Sequence, residues 1–265
     1  MSKISEDTMK NIRDIKKEKG EWFENPDFWN LYGPIMFDSQ MWQEAPAVAH
    51  NIKELSQKQE GSLVMEAGCG IGRISTNLAL EGYKVTGIDI IQSELDAARE
   101  SALDEGLEIN YINQDLRKLD FKDRFDLCVN VYNSFGYCDK IEDDILILKN
   151  IYKSLKEGGV FILECISRES AIMYFTEGEW FERAGWTVLT EFEVSGLWEG
   201  LISRWTLISQ NGERIFHQFN QRLYSAKELR DILTHIGFKT VEVFGEWDKS
   251  PYNQHARTMI IKATK

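Results

Sequence analysis

The run Leu63-Val64-Met65-Glu66-Ala67-Gly68-Cys69-Gly70-Ile71-Gly72-Arg73 sets one carboxylate and three alternate glycines between an apolar stretch and a helical one. Gly68, Gly70 and Gly72 can take positive φ, and a backbone without Cβ atoms lets a ligand approach where a side chain would collide. A second run, Tyr83-Lys84-Val85-Thr86-Gly87-Ile88-Asp89, ends in a carboxylate able to accept from both hydroxyls of a ribose. Such groups need rigid supports. Leu63 to Met65 read as a buried strand after Gly61, and Ile74, Leu78 and Ala79 fall at helical spacing until Gly82 stops them. The glycines therefore form a strand-to-helix turn, and Asp89 ends the next strand.

A glycine turn with an acidic strand end admits two ligand classes, a nicotinamide or flavin dinucleotide and S-adenosylmethionine. The dinucleotide fingerprint G-x-G-x-x-G, counted from Gly68, requires glycine at position 73, where this chain has Arg73. Glu66, just ahead of the glycines, suits an ammonium group better than a pyrophosphate. Glu66-Ala67-Gly68-Cys69-Gly70-Ile71-Gly72 resembles the first motif of the class I S-adenosylmethionine-dependent methyltransferases, an acidic residue followed by x-G-x-G-x-G. Leu155-Lys156-Glu157-Gly158-Gly159 before an apolar strand is a second signature of those enzymes, and the resemblance, to their small-molecule branch, spans roughly residues 60–165. It implies S-adenosylmethionine as cofactor, held by Glu66, Gly68, Gly70, Gly72, Asp89 and Asp115, with Arg73, Ile90, Leu116 and Asn130 beside them. In that family the acid in the place of Asp115, just past the third strand, receives the adenine amino group.

The rest of the chain supplies the frame. Ser93-Glu94-Leu95-Asp96 reads as a capping box opening a helix with Leu95, Ala98 and Ala102 on its apolar face, ended by Gly106. Residues 108–113 alternate as a third strand, and 125–132 form a near-continuous apolar run, as a strand buried on both faces does. A helix from Glu142 to Lys156 and a fifth strand over 160–165 follow. These alternations give an α/β, Rossmann-like, doubly wound sheet. Phe238 to Phe244 and Thr258 to Ala263 complete it as a seven-stranded sheet whose last strand runs antiparallel, because their connection is too short for a parallel crossover.

Three further strands, Trp186 to Val194, Leu201 to Gln210 and Glu213 to Tyr224, break that rhythm, with a hairpin signal at Asn211-Gly212. They read as a small antiparallel β flap inserted after strand 5, with Ile215, His217 and Phe219 on one face. Ahead of the core, residues 21–38 carry six aromatics, including Trp22, Trp29 and Phe37, and read as a helical, aromatic lid that excludes water. The preceding residues 1–20 are highly charged and read as a marginal helix or a frayed arm. The expected division is an N-terminal arm and lid (1–60), a cofactor-binding core (61–167), a substrate flap (168–224) and a C-terminal completion of the core (225–265).

Methyl transfer to a small-molecule acceptor, at nitrogen or oxygen, is the expected reaction. Asn133, Phe135 and Tyr137 follow the fourth strand at the carboxyl end of the sheet, where open α/β sheets bind ligands, and with Trp29 they are the expected acceptor contacts. For proton removal His217 and Tyr32 are the first candidates, ahead of Tyr137, Tyr224 and Glu164. The alternatives are a nucleotide-dependent oxidoreductase and a non-catalytic module that binds the same cofactor. A formal net charge of −12 over 265 residues, with no basic run, argues against a nucleic-acid partner. No apolar run of membrane-spanning length is present, and four scattered cysteines without a C-x-x-C pair suggest neither metal nor disulfides, so a cytoplasmic setting is expected.

Overall fold

The computed structural model describes residues 12–14 and 21–265, beginning with a three-residue strand, β1 (Ile12–Asp14). A single 3-10 turn at Trp22–Glu24 leads into α1 (Pro26–Met36) and α2 (Ser39–Ser56). Both helices start on side-chain caps. Asn25 Oδ1 accepts from the Asp27 N–H ahead of Pro26 in the first helical position, and Asp38 Oδ1 accepts from the Met41 N–H.

The α/β core then alternates: β2 (Leu63–Ala67), α3 (Arg73–Leu80), β3 (Lys84–Asp89), α4 (Gln92–Asp104), β4 (Asn110–Asn113), β5 (Phe125–Asn130), α5 (Ile141–Ser154) and β6 (Leu155–Cys165). A short α6 (Arg168–Met173) precedes four long strands, β7 (Gly178–Arg183), β8 (Trp186–Ser195), β9 (Gly200–Ser209) and β10 (Arg214–Arg222). The chain returns to the core through α7 (Ala226–Ile236), β11 (Thr240–Phe244) and β12 (Met259–Thr264).

Seven strands pair in the order β11-β12-β6-β5-β2-β3-β4, and β12 runs antiparallel to both of its neighbours. Strands β2 and β5 are mostly apolar because both faces are covered, with Glu66, Asp126 and Asn130 as their polar exceptions. Met65, Cys128 and Phe161 pack with Leu148 of α5 and Leu233 of α7 on one side, while Val64, Leu127 and Ile162 pack with Ile52 of α2 and Leu78 of α3 on the other. The second sheet has the order β1-β10-β9-β8-β7, antiparallel except for β1, which pairs parallel along the outer edge of β10. Phe28, Tyr32 and Ile35 of α1 cover one of its faces by packing on Val188, Leu207 and Ile215. The expected α/β fold, with its antiparallel last strand and inserted antiparallel sheet, is the observed one.

Several local expectations change. The capping box at Ser93 is absent: α4 begins at Gln92, its N-cap is Ile91 without a side-chain bond, and Asp89 Oδ1 instead accepts from the Ile91 N–H. The expected helix to Lys156 stops at Ser154, and the Gly158–Gly159 pair lies inside β6, held where Gly158 N–H donates to Lys265 O and Lys265 N–H to Gly159 O. Strand β7 has no counterpart in the expectation because it is an edge strand with mostly exposed side chains, so no alternation marks it. The capping box at Ser225–Glu228 is present as read. The reading of residues 1–20 as helix or arm lies outside the described residues except at β1, which is a strand. Among the described residues no helix is long and apolar enough to cross a membrane, and no cluster of three His, Cys, Asp or Glu side chains is placed to hold a metal ion.

Candidate active site

The carboxyl ends of β2, β3, β4 and β5 open into a cavity of about 200 Å³ that α1 and the 3-10 turn cover. Its floor is the glycine turn. Gly68 and Gly70 lie at φ of 75° and 50° and both line the cavity. The Gly68 N–H donates to Ile88 O at 2.8 Å and the Gly70 N–H to Asp89 Oδ2 at 2.8 Å, so the strand end and the turn hold each other in place. A Cβ on Gly70 would meet nothing nearer than the Phe37 ring at 3.8 Å, which leaves bare backbone facing the cavity. Gly72 is different. It does not line the cavity, and a Cβ there would stand 2.5 Å from the Tyr111 hydroxyl and 2.8 Å from Ala98 Cβ, so its absence lets α4 and β4 pack against the turn.

Of the other expected cofactor contacts, Glu66, Arg73, Asp89, Ile90, Asp115 and Leu116 line the cavity, and Asn130 does not. Asn130 is buried and donates from Nδ2 to Ala67 O at 2.7 Å, fixing the end of β2 from the neighbouring strand. Glu66 is buried and accepts from Ser75 Oγ; burial pushes its carboxyl up to about 8, against the opposing pull of Ser75 and Arg73. Burial likewise raises Asp89, countered by the Ile91 and Gly70 N–H groups. Burial pushes Asp115 the same way, but Arg117 more than offsets it and holds Asp115 below the ordinary range, donating from its backbone and its guanidinium.

The segment after β5 builds a further wall of the cavity. Tyr132 and Asn133 both take the left-handed region, at φ of 55° and 63°, a strained pair that its surroundings must enforce. Glu164 Oε2 accepts the Tyr132 N–H at 3.0 Å, and Asn133 Oδ1 accepts the Ile166 N–H at 3.0 Å. Asn133 Nδ2 donates to Gln221 Oε1 at 3.2 Å, so its amide ties the core to β10. Asn133, Phe135, Tyr137 and Trp29, the residues expected as acceptor contacts, all line the cavity. Trp22 stacks on Phe219 at 4.7 Å and meets Tyr137 edge-on at 5.1 Å.

The two expected catalytic residues are elsewhere. Neither His217 nor Tyr32 lines the cavity; both are buried between α1 and the second sheet, where His217 packs on Phe28 at 4.4 Å and Tyr32 stacks on Phe28 at 4.6 Å. Burial pushes His217 down to about 4 and Tyr32 up, so neither exchanges a proton near neutrality. The alternating face of β10 that carries His217 is an apolar core face rather than a pocket wall. Glu164 is committed to Tyr132 and Trp247, and the Tyr224 hydroxyl donates to Asp144 Oδ2 at 2.8 Å.

Three charged residues that line the cavity were not expected there. Arg117 pairs with Asp115 of the core and with Glu24 and Glu21 of the lid. Asp144, buried in α5, pairs with Arg222 at the end of β10. Glu94 lines the cavity beneath α1. Only the acidic turn at Asp115, with basic residues two and three positions on, could have marked Arg117.

Three acids, Glu66, Asp89 and Glu94, on a bare glycine backbone fit a ligand whose hydroxyl and amino groups donate to them. Residues 64–159 match the family model described as a methyltransferase domain. The Bacillus subtilis protein YqeM is 24% identical over 224 residues, 80% of this chain and 87% of its own. A ubiquinone biosynthesis O-methyltransferase of Rickettsia bellii is 30% identical over 107 residues, 40% of this chain; the match spans only 42% of that enzyme's length. Among solved structures, an S-adenosylmethionine-dependent methyltransferase from Clostridium acetobutylicum superposes with a TM-score of 0.72 at 17% identity, covering 90% of this chain and 97% of its own. CalS10, an amino pentose methyltransferase from Micromonospora echinaspora solved with S-adenosylmethionine bound, superposes with a TM-score of 0.61 at 17% identity, covering 84% and 92%. These structural likenesses carry the fold, that of the class I enzymes, and the matched domain carries the activity: the protein is an S-adenosylmethionine-dependent methyltransferase.

Proposed function

We propose that the protein methylates a nitrogen or oxygen of a small acceptor enclosed under the aromatic lid, with an amine the better fit. The observation that carries this is the make-up of the acceptor end, which is lined by Trp22, Trp29, Phe37, Phe135 and Tyr137 and, among the described residues, by no histidine. An ammonium group drawn from water into such a wall loses its proton more readily, because burial disfavours the cation. A hydroxyl would instead need a positioned base. The amino pentose enzyme that shares the fold supports nitrogen, and the O-methyltransferase relative keeps oxygen as the second reading.

When bound, the cofactor supplies an electrophilic methyl group on a sulfonium. In our reading Asp89 accepts from the ribose hydroxyls, Glu66 faces the ammonium, and Asp115 with Leu116 borders the adenine. The aromatic faces of Trp22 and Trp29 exclude water. Alignment of this kind supplies roughly 7–11 kcal/mol of barrier reduction without a covalent intermediate. Of the expected N-terminal arm and lid (1–60) we assign the lid to residues 21–60, and we assign the cofactor core to 61–167, the acceptor flap to 168–224 and the completion of the core to 225–265. Four buried free thiols suit a reducing, cytoplasmic setting.

The test is transfer of labelled methyl from S-adenosylmethionine to matched panels of small amines and alcohols or phenols. Amines are expected to react, with a rate that follows the ionisation of each acceptor. Transfer confined to hydroxyl acceptors would overturn the preference for nitrogen.

A further inference from the structure

Glu94 has its carboxylate in the wrong place for an ordinary surface helix acid. It lies in the first turn of α4, where a negative charge suits the helix dipole, yet the side chain is only 8% exposed and Oε2 is buried with no hydrogen-bond partner. It is turned inward, between the lid and the glycine turn. Oε1 lies 3.5 Å from the point a Cβ on Gly33 of α1 would occupy, and Oε2 lies 3.9 Å from the same point on Gly70. Bonded to the same Gly70 is Asp89, whose two oxygens accept the Gly70 and Ile91 N–H groups, so that part of its accepting capacity is already used. The two acids thus meet at one bare stretch of cavity floor, and the Oε2 of Glu94 has its full accepting capacity unused. Burial, and then the charge of Asp89, push Glu94 up to about 7, as expected of an acceptor waiting for a donor.

We propose that Glu94 accepts a hydrogen bond from a ribose hydroxyl of the bound cofactor, forming with Asp89 a two-carboxylate cradle for the diol that α1 closes over at Gly33. This rests on the placement of the ribose at Asp89. The same contact joins ligand and lid, since the carboxylate that meets the sugar is the one on which α1 packs.

The experiment is calorimetric titration at pH 8 of the unaltered protein, E94A and E94M with S-adenosylhomocysteine and with its 2′-deoxy and 3′-deoxy analogues. E94M keeps the side-chain volume and removes the unsatisfied group, so it remains informative where E94A does not fold. The unaltered protein is expected to lose about tenfold in affinity when the contacted hydroxyl is removed. Each variant should bind S-adenosylhomocysteine about tenfold more weakly and should distinguish that analogue less than the unaltered protein does, the remaining discrimination being that of Asp89. An equal loss for all three ligands, or no loss, would overturn the role of Glu94. D89A, run alongside, separates the two readings: unchanged affinity there removes the ribose from Asp89 itself, whereas weakened affinity there with hydroxyl discrimination intact in E94M removes only Glu94.

Discussion

Gly136 and Arg222 touch through backbone alone: a Cβ on Gly136 would stand 2.6 Å from the Arg222 carbonyl oxygen, and the Arg222 N–H donates to Gly136 O at 2.6 Å. The cavity segment after β5 and the last strand of the inserted sheet are joined at this point. The Arg222 side chain reinforces the join through Asp144 and through the Cys138 and Asp139 carbonyls.

Gly136→Ala tests that join. The residue lies at φ of 90°, so an added methyl is both strained and blocked by backbone that cannot rotate away. The substitution is expected to cost about 1–3 kcal/mol from backbone strain alone, with more from the clash, and to reduce acceptor turnover more than cofactor affinity. Thermal melting and separate measurement of the two ligands check this; unchanged melting would show that the sheet does not rest on the loop.

Arg117 is expected to hold the lid shut. Its guanidinium bridges Asp115 to Glu24 and Glu21, and these partners together raise its already high pKa, so it stays charged at any working pH. Arg117→Ala should weaken S-adenosylhomocysteine binding by about tenfold, since the bonds are charged but partly open to solvent, while leaving the melting temperature nearly unchanged. Arg117→Lys, which cannot span both sides, should restore little of it. Calorimetry on both variants decides; full affinity in Arg117→Ala would leave the lid without its latch.

The pH dependence of stability should be bell-shaped. Glu66 and Glu94, pushed by burial to about 8 and about 7 from an ordinary 4.5, bind protons more tightly folded than unfolded. Their contribution is therefore complete below the unfolded value and lost as pH rises through the folded ones. His217, pushed from 6.5 down to about 4, behaves oppositely: its contribution is present above 6.5 and lost as pH falls towards 4. Between 4.5 and 6.5 the two carboxyls outweigh the one imidazole, so melting of the ligand-free protein is expected to peak at about pH 4–5 and to decline on the alkaline side. His217→Phe should flatten the acid limb and keep activity, and Glu66→Gln should flatten the alkaline limb. Loss of turnover in a stable His217→Phe would return that histidine to the mechanism.

The core was legible in the sequence because its signals are local. Continuous apolar runs, a glycine turn and acidic strand ends each depend on neighbours a few residues away, and they placed Glu66, Gly68, Gly70, Asp89 and Asp115 on the cavity or against its floor. What escaped depends on packing between distant segments. His217 sits on the face of β10 that alternation assigned it, but whether that face meets a ligand or an aromatic core depends on α1, nearly two hundred residues earlier in the chain. Gly72 belongs to a ligand motif yet serves the packing of α4 and β4, and Ser93-Glu94 had the form of a cap while Glu94 turns inward. In both cases one residue pattern suits two environments, and only the tertiary neighbours select between them.

The indoles that seal the cavity have a consequence beyond sealing it. Trp22 and Trp29 lie face to face at 6.0 Å, with Phe219 against the first and Phe37 against the second. Any ligand that enters must alter the polarity and the ring contacts around these two fluorophores. The protein therefore carries its own optical gauge of occupancy, readable from intrinsic emission without a label, and replacing Trp22 or Trp29 singly by Phe assigns that signal to one end of the cavity or the other.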